Sequence, residues 1–412
     1  MNRKQHLFLA VVVCMITLWS CKDSSYYYQA QAVDLTVSPE GETFSITGAS
    51  ALQLPDTFVW GGSPIKIEDK YYLFFSAWES GKEIPKFSDS WVLYSKIGVA
   101  VSDQPDRNFK KLDIFLKGKN HKGDSTAWDA QSAHNPLIKK FNNKYYLYYV
   151  SSVDPGKQPQ GSPGAELSKR NRVQQNQKIG VVVFNSIEEL LAGNYTRSEQ
   201  PLLSPRSRVK KDNVVNPSPP GTKAQPDNLI VVNPAVVYRP TDGKYLLFFK
   251  GNMYDPHWRG VHGVAIGDSP AGPFTTTNHF VFDIDDGSGE KVSAEDPYVW
   301  YHRKDECFYA VVKDFTGKLT KSEPGLAMLR SEDGIDWKLA EQPLFMKKEL
   351  ILKNGTTLKV DRLERPQLLI NENGEPEVLY AACSIDPCNQ KQDGGTFNVH
   401  IPLKLRLIKN DK

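Results

Sequence analysis

His134-Asn135-Pro136-Leu137-Ile138-Lys139-Lys140-Phe141-Asn142-Asn143-Lys144-Tyr145-Tyr146-Leu147-Tyr148-Tyr149 compresses one structural unit into a single phrase. An X-Pro step opens an apolar run, a turn pair of asparagines reverses the chain, and an aromatic strand rich in sheet-forming residues returns. Outward from it the same phrase recurs. Its openings are Ser63-Pro64, Asn233-Pro234, Asp296-Pro297 and Arg365-Pro366, and the matching aromatic runs are 70–75 (KYYLFF), 244–249 (KYLLFF), 308–312 (FYAVV) and 377–382 (EVLYAA). A third strand follows each hairpin, at 97–103, 179–184, 262–268, 325–333 and, less regularly, 399–407. Successive marker prolines lie 72, 98, 63 and 69 residues apart, and the long gap is filled by the polar, Pro- and Gly-rich stretches 154–178 and 205–226, which read as loops. Internal repetition of one strand phrase predicts radial stacking: an all-β chain folded as a five-bladed β-propeller. Tandem β-sandwiches are the competing all-β architecture, but a sandwich does not require the same X-Pro opening in every unit.

The N-terminus sets the compartment. Arg3 and Lys4 precede an apolar stretch from Leu7 to Leu18 that is shorter than the roughly 20 residues of a spanning helix. Leu18-Trp19-Ser20-Cys21 resembles the bacterial lipobox, which implies cleavage before Cys21 and its acylation, against the simpler alternative of an ordinary signal peptide cut nearby. Lys22-Asp23-Ser24-Ser25 resembles the surface-export signal of Bacteroidetes lipoproteins. The expected organisation is a signal peptide at 1–20, an N-terminal tether at 21–50 and a propeller at 51–412. The expected location is the outer membrane, facing either the cell surface or the periplasm, with membrane contact only through the lipid. A net charge of +3 is too mild for a nucleic-acid binder, and a carbohydrate or other near-neutral ligand fits better. The mature chain keeps Cys307, Cys383 and Cys388, which make no disulfide framework or metal site, although Cys383 and Cys388 are close enough in sequence to pair. No His/Asp spacing suggests a metal, and no cofactor is expected.

In a propeller the innermost strands start, and the second strands end, at one mouth of the central channel. Apolar strands have no packing reason to begin with charged or amide groups, so the leading residues Trp60 to Ser63, His134-Asn135, Asn233, Glu295-Asp296 and Glu364-Arg365, with Trp78, Lys250, Lys313 and Asp314 from the second strands, predict a polar pocket.

These phrases, together with Gly267-Asp268-Ser269-Pro270-Ala271-Gly272-Pro273-Phe274, resemble the five-bladed propeller hydrolases of glycoside hydrolase families 43 and 117 over residues 57–407. The resemblance implies hydrolysis of a plant or algal saccharide by two carboxyl groups, exo-acting and inverting, with a general acid at Glu295, in the step Ala294-Glu295-Asp296-Pro297. A general acid needs a raised pKa, which aromatic walls and the like charges of Asp296 and Glu364 would supply. Family 43 opens its first blade with an Asp-Pro base, and this chain has Ser63-Pro64 there. Glu364, Asp129 and Asp314 are therefore candidates for the second carboxylate. Otherwise the chain is a surface carbohydrate-binding propeller without hydrolysis, or a structural scaffold, which so many charged channel residues serve poorly. Trp60, Trp78 and Trp128 would stack on sugar rings or pack between blades. Ser63, His134, Asn135, Asn233, Lys250, Asp296, Lys313 and Arg365 would bind substrate, and the three cations either select an acidic or sulfated sugar or neutralise the carboxylates.

Overall fold

The computed structural model describes residues 26–40, 43–392 and 394–407. The expected signal peptide and the expected acylation site Cys21 lie outside the described residues. Five antiparallel sheets form five blades around one axis. The innermost strands, in ring order, are Thr57–Ile67, His134–Phe141, Val232–Arg239, Ala294–His302 and Arg362–Ile370, each packing on the next and the fifth on the first. The marker phrases are the inner hairpins, as expected. The first four blades, however, have four strands each rather than three, and the fifth has five, since the short strand Ala51–Leu52 also pairs with Phe397–Leu407. The outer strands Lys110–Leu116, Thr196–Arg197, Phe274–Val281 and Lys338–Lys347 alternate weakly and carry many exposed polar residues, so no hydrophobic period marks them.

The fifth blade takes its outer strand from the far end of the chain. Tyr26–Ala30, inside the stretch read as a tether, pairs antiparallel with Phe397–Leu407, Tyr26 opposite Leu407 and Ala30 opposite Leu403. Tyr28 is buried against Phe345 of blade 4, their ring centroids 6.0 Å apart. This union of the two ends covers an edge that would otherwise be open. Cys383 and Cys388 are both buried and free. Among the described residues no helix is long and apolar enough to cross a membrane.

Every inner strand carries a β-bulge, two residues opposing one on the second strand. The bulged pairs are Asn135-Pro136, Asn233-Pro234, Asp296-Pro297 and Arg365-Pro366, opposite Tyr149, Phe249, Val312 and Ala381. Proline donates no hydrogen bond, so it sits at a bulge without breaking the ladder. The residue before it adopts a left-handed backbone, φ 50° at Asn135, 57° at Asn233, 57° at Asp296 and 53° at Arg365. Asn and Asp tolerate that conformation, whereas Arg rarely adopts it. The bulge re-aims these side chains toward the axis.

Blade 1 departs from the marker. Its bulge is Trp60-Gly61, between the pairs Val59–Ala77 and Gly62–Phe75, so the position matching Asn135, Asn233, Asp296 and Arg365 is Trp60 and not Ser63. Ser63 lies beyond the bulge, pairs regularly with Phe74, and accepts a 3.1 Å hydrogen bond from the Ile138 amide. It holds blade 1 to blade 2 and is not a pocket residue.

Candidate active site

The bulged residues form a belt across the channel. Asn135 Nδ2 donates to Asn233 Oδ1 at 2.8 Å, and Asn233 Nδ2 donates to Asp296 Oδ1 at 2.6 Å. The Arg365 amide donates to Asp296 Oδ2 at 3.1 Å, with the Arg365 guanidinium 3.5 Å from Oδ1. Blade 1 closes the belt by absence of bulk: a Cβ on Gly61 would lie 2.9 Å from Arg365 Cβ. Four blades are thus tied by polar side chains and the fifth by close approach. Burial and the neighbouring Glu295 charge push the Asp296 carboxyl up to about 6, against the pull of Arg365 and Lys313.

Above the belt lies a cavity of about 750 Å3. Glu295, Asp296, Glu364, Lys250, Arg365, His134, Asn135, Asn233, Trp60 and Trp78 all line it, as the convergence of strand starts and ends predicts. Lys313 reaches its floor from an adjoining hollow of about 210 Å3. At that floor Lys250 Nζ is 2.5 Å from Glu295 Oε1, and Lys313 Nζ is 3.8 Å from Glu295 Oε2 and 2.6 Å from Glu364 Oε1. Arg362 adds a 2.7 Å bond to the same Glu364 oxygen. Gly260 makes room for the lysine stem, since a Cβ there would lie 2.9 Å from Lys250 Cε.

The charge state of Glu295 reverses the sequence expectation. Burial alone would raise its carboxyl, but the Lys250 and Lys313 ammonium groups hold it down to about 2. The aromatic walls and acidic neighbours were visible in the sequence, while two cations converging from the second strands of blades 3 and 4 outweigh them. His134 is neutral, burial taking it down to about 3, and its Nδ1 lies 2.7 Å from Ser95 Oγ.

Three candidates lie elsewhere. Asp129 is fully buried in the wall of blade 2, where Arg197 Nε donates to it at 2.6 Å and the Tyr149 hydroxyl at 2.8 Å. Asp314 accepts the amides of Thr316, Gly317, Leu319 and Thr320, so it shapes the turn after its strand. Trp128 stacks on Tyr149 at 5.9 Å within the blade 2 core. Trp60 and Trp78 do border the cavity, yet they are 6% and 1% exposed, packed edge-on or tilted against Phe87, and so form wall rather than an open stacking face.

The open aromatic faces come from segments that the repeat did not mark. Trp258 is 45% exposed at the rim, its ring 5.6 Å from Lys250 Nζ, and Trp91 stands on the short helix Phe87–Tyr94 beside His134, ring centroids 5.0 Å apart. The insertions 154–178 and 205–226 contribute wall residues including Arg170, Gln174 and Lys210. Arg362, two residues before Glu364 on an inner strand, is the floor residue with a readable signal that was missed. Among the described residues there is no group of three or more His, Cys, Asp or Glu placed to hold a metal.

No family model matches the chain and no curated protein matches it. Among solved structures, it is similar to Zg3597, a family 117 glycoside hydrolase from the marine bacterium Zobellia galactanivorans, at 14% identity over 95% of this chain and 93% of the other, TM-score 0.55. It is also similar to a protein described as a glycoside hydrolase, at 12% identity over 92% of each of the two, TM-score 0.53. At such identities the likeness establishes one thing, a shared five-bladed β-propeller fold.

Proposed function

We propose that the chain is a glycoside hydrolase acting on a saccharide end bound in the channel-mouth cavity, with Glu295 and Glu364 as its carboxyl pair. The observation that carries this reading is the pair itself: two carboxylates on adjacent inner strands, flanking one ammonium group at 3.8 and 2.6 Å on the floor of a sugar-sized cavity. Glycosidic cleavage needs one carboxylate to activate water or attack carbon and one carboxylic acid to protonate the leaving oxygen. Both oxygens of Glu295 face a cation, which suits the ionised member. Glu364 receives Lys313 and Arg362 on Oε1, which leaves Oε2 without a hydrogen bond from either cation. Walls built by insertions favour exo action, and Trp91 and Trp258 offer faces for sugar rings.

Glu295→Gln and Glu364→Gln are each expected to lose at least about a hundredfold in sugar release from plant and algal oligosaccharides. Full activity in either variant removes that residue from the mechanism. A second reading, carbohydrate binding without hydrolysis, is favoured by Trp60 at the blade 1 position where a base would stand; calorimetric binding with no product from any saccharide selects it. Export with acylation at Cys21 belongs to the same reading. Labelled palmitate should enter the parent and not the Cys21→Ser protein.

A further inference from the structure

The floor cations do not by themselves call for an acidic ligand. Lys250, Lys313, Arg362 and Arg365 are already placed against four carboxylates, Glu295, Glu364, Asp361 and Asp296. Their charge is met within the protein.

The walls differ. Two insertions that the propeller repeat does not need each bring a half-buried cation to the same cavity. Arg170 stands on the helix Lys169–Gln174, which is capped by Ser168. Its Nη1 donates to Asn171 Oδ1 at 3.1 Å and to Gln174 Oε1, and its Nη2 donates to the Ser88 carbonyl at 2.7 Å. Those partners are neutral. Asp89 is 3.6 Å from Nε, which is buried without a hydrogen bond. Lys210, from the second insertion, has Asp212 at 4.0 Å, exposed to solvent, and lies 4.9 Å over the Tyr254 ring. Glu166 is the one carboxylate on these walls, and it is exposed, with no ion pair among the described residues. Taking a cation partly out of water is unfavourable unless an opposite charge compensates it. Here the compensation inside the protein is weak at both positions, and both side chains border the cavity.

We infer that the saccharide bound here carries an anionic group, a uronate carboxylate or an ester sulfate, received by Arg170 and Lys210. This rests on the cavity being a saccharide site, but not on hydrolysis. Arg170 keeps one Nη2 hydrogen and its charge for such a group, and Lys210 contributes a point charge. The two sources share one chemistry and separate on testing.

The experiment is calorimetric titration of the Glu295→Gln full chain, so that turnover does not interfere, with four probes: oligogalacturonate, its carboxyl-reduced form, a carrageenan oligosaccharide and its desulfated form. One anionic probe is expected to bind about tenfold or more tighter than its neutral partner, with a preference that shrinks as salt rises. In the Arg170→Gln/Lys210→Gln double variant, compared at a temperature where it is folded, that preference should fall below about twofold, while binding of the neutral form stays within about twofold of the parent's. Equal affinity for both members of each pair, preference retained in the double variant, or no binding of any anionic probe overturns the inference. The hydrolase reading fails separately, when the parent binds a probe and releases no sugar from it.

Discussion

Lys250 sets the chemistry of the residue it touches. Its side chain is 7% exposed and its ammonium nitrogen meets Glu295 at 2.5 Å, the main pull on a carboxyl that burial alone would push up. Glu295 therefore stays ionised far into the acid range, and its ion pair adds stability that is present above the ordinary carboxylate range and lost as pH falls toward 2. Replacing Lys250 with Met should lift the Glu295 carboxyl, so the acid limb of the kcat/KM profile moves to higher pH; an unmoved limb assigns that limb to another group. Gly61 is a second residue whose identity is decided by contact. Gly61→Ala places a Cβ against the nearly inaccessible Arg365 side chain, and should cost about 1–3 kcal/mol by overpacking, read as a lower denaturant midpoint.

At the scale of elements, the blades are held together by buried polar pairs that mimic catalytic ones in sequence. Asp129 follows a tryptophan just before an inner strand, as a sugar-binding carboxylate would, yet its charge serves Arg197 and Tyr149 at the wall of blade 2. Asp129→Ala leaves Arg197 without its partner and should cost about 3–5 kcal/mol in stability, while kcat at a temperature where the variant is folded stays within about twofold of the parent. A loss of kcat comparable to that of Glu295→Gln would return Asp129 to the mechanism. The closing strand is the other element-level device. Tyr28→Ala removes the ring that packs Tyr26–Ala30 against Phe345, and should lower stability by about 3 kcal/mol, with the earliest hydrogen exchange at the Phe397–Leu407 edge. Inner hairpins were legible because both faces of their strands are buried and their turns carry Asn, Asp or Gly. Outer strands such as Thr196–Arg197 were not, since a short, half-exposed edge needs no apolar period.

For the whole molecule, acid stability follows from buried imidazoles. His134, His262 and His400 are all held neutral by burial, each lowered to about 3. The unfolded chain takes up their protons first, so the stability they contribute is complete above about 6.5 and falls as pH drops from there. Asp296 acts in the opposite sense: its carboxyl, raised to about 6, binds a proton first in the folded state and gains stability below that pH. Three groups against one leave a net loss of roughly 3 kcal/mol per pH unit between about 6 and 4.5, to be read from urea midpoints at about pH 7, 5.5 and 4.5. A flat profile would mean that the histidines reach water. The repeat phrase alone determined the blade number, the position of the inner hairpins and which strand ends meet at the channel mouth, because local periodicity and X-Pro steps encode strands directly. Only the tertiary structure decided that the blade 1 bulge falls at Trp60-Gly61 and not at Ser63, that Lys250 and Lys313 keep Glu295 ionised, and that Tyr26–Ala30 closes blade 5. Those outcomes depend on bulge register and on charges brought together from distant strands, which no local pattern records.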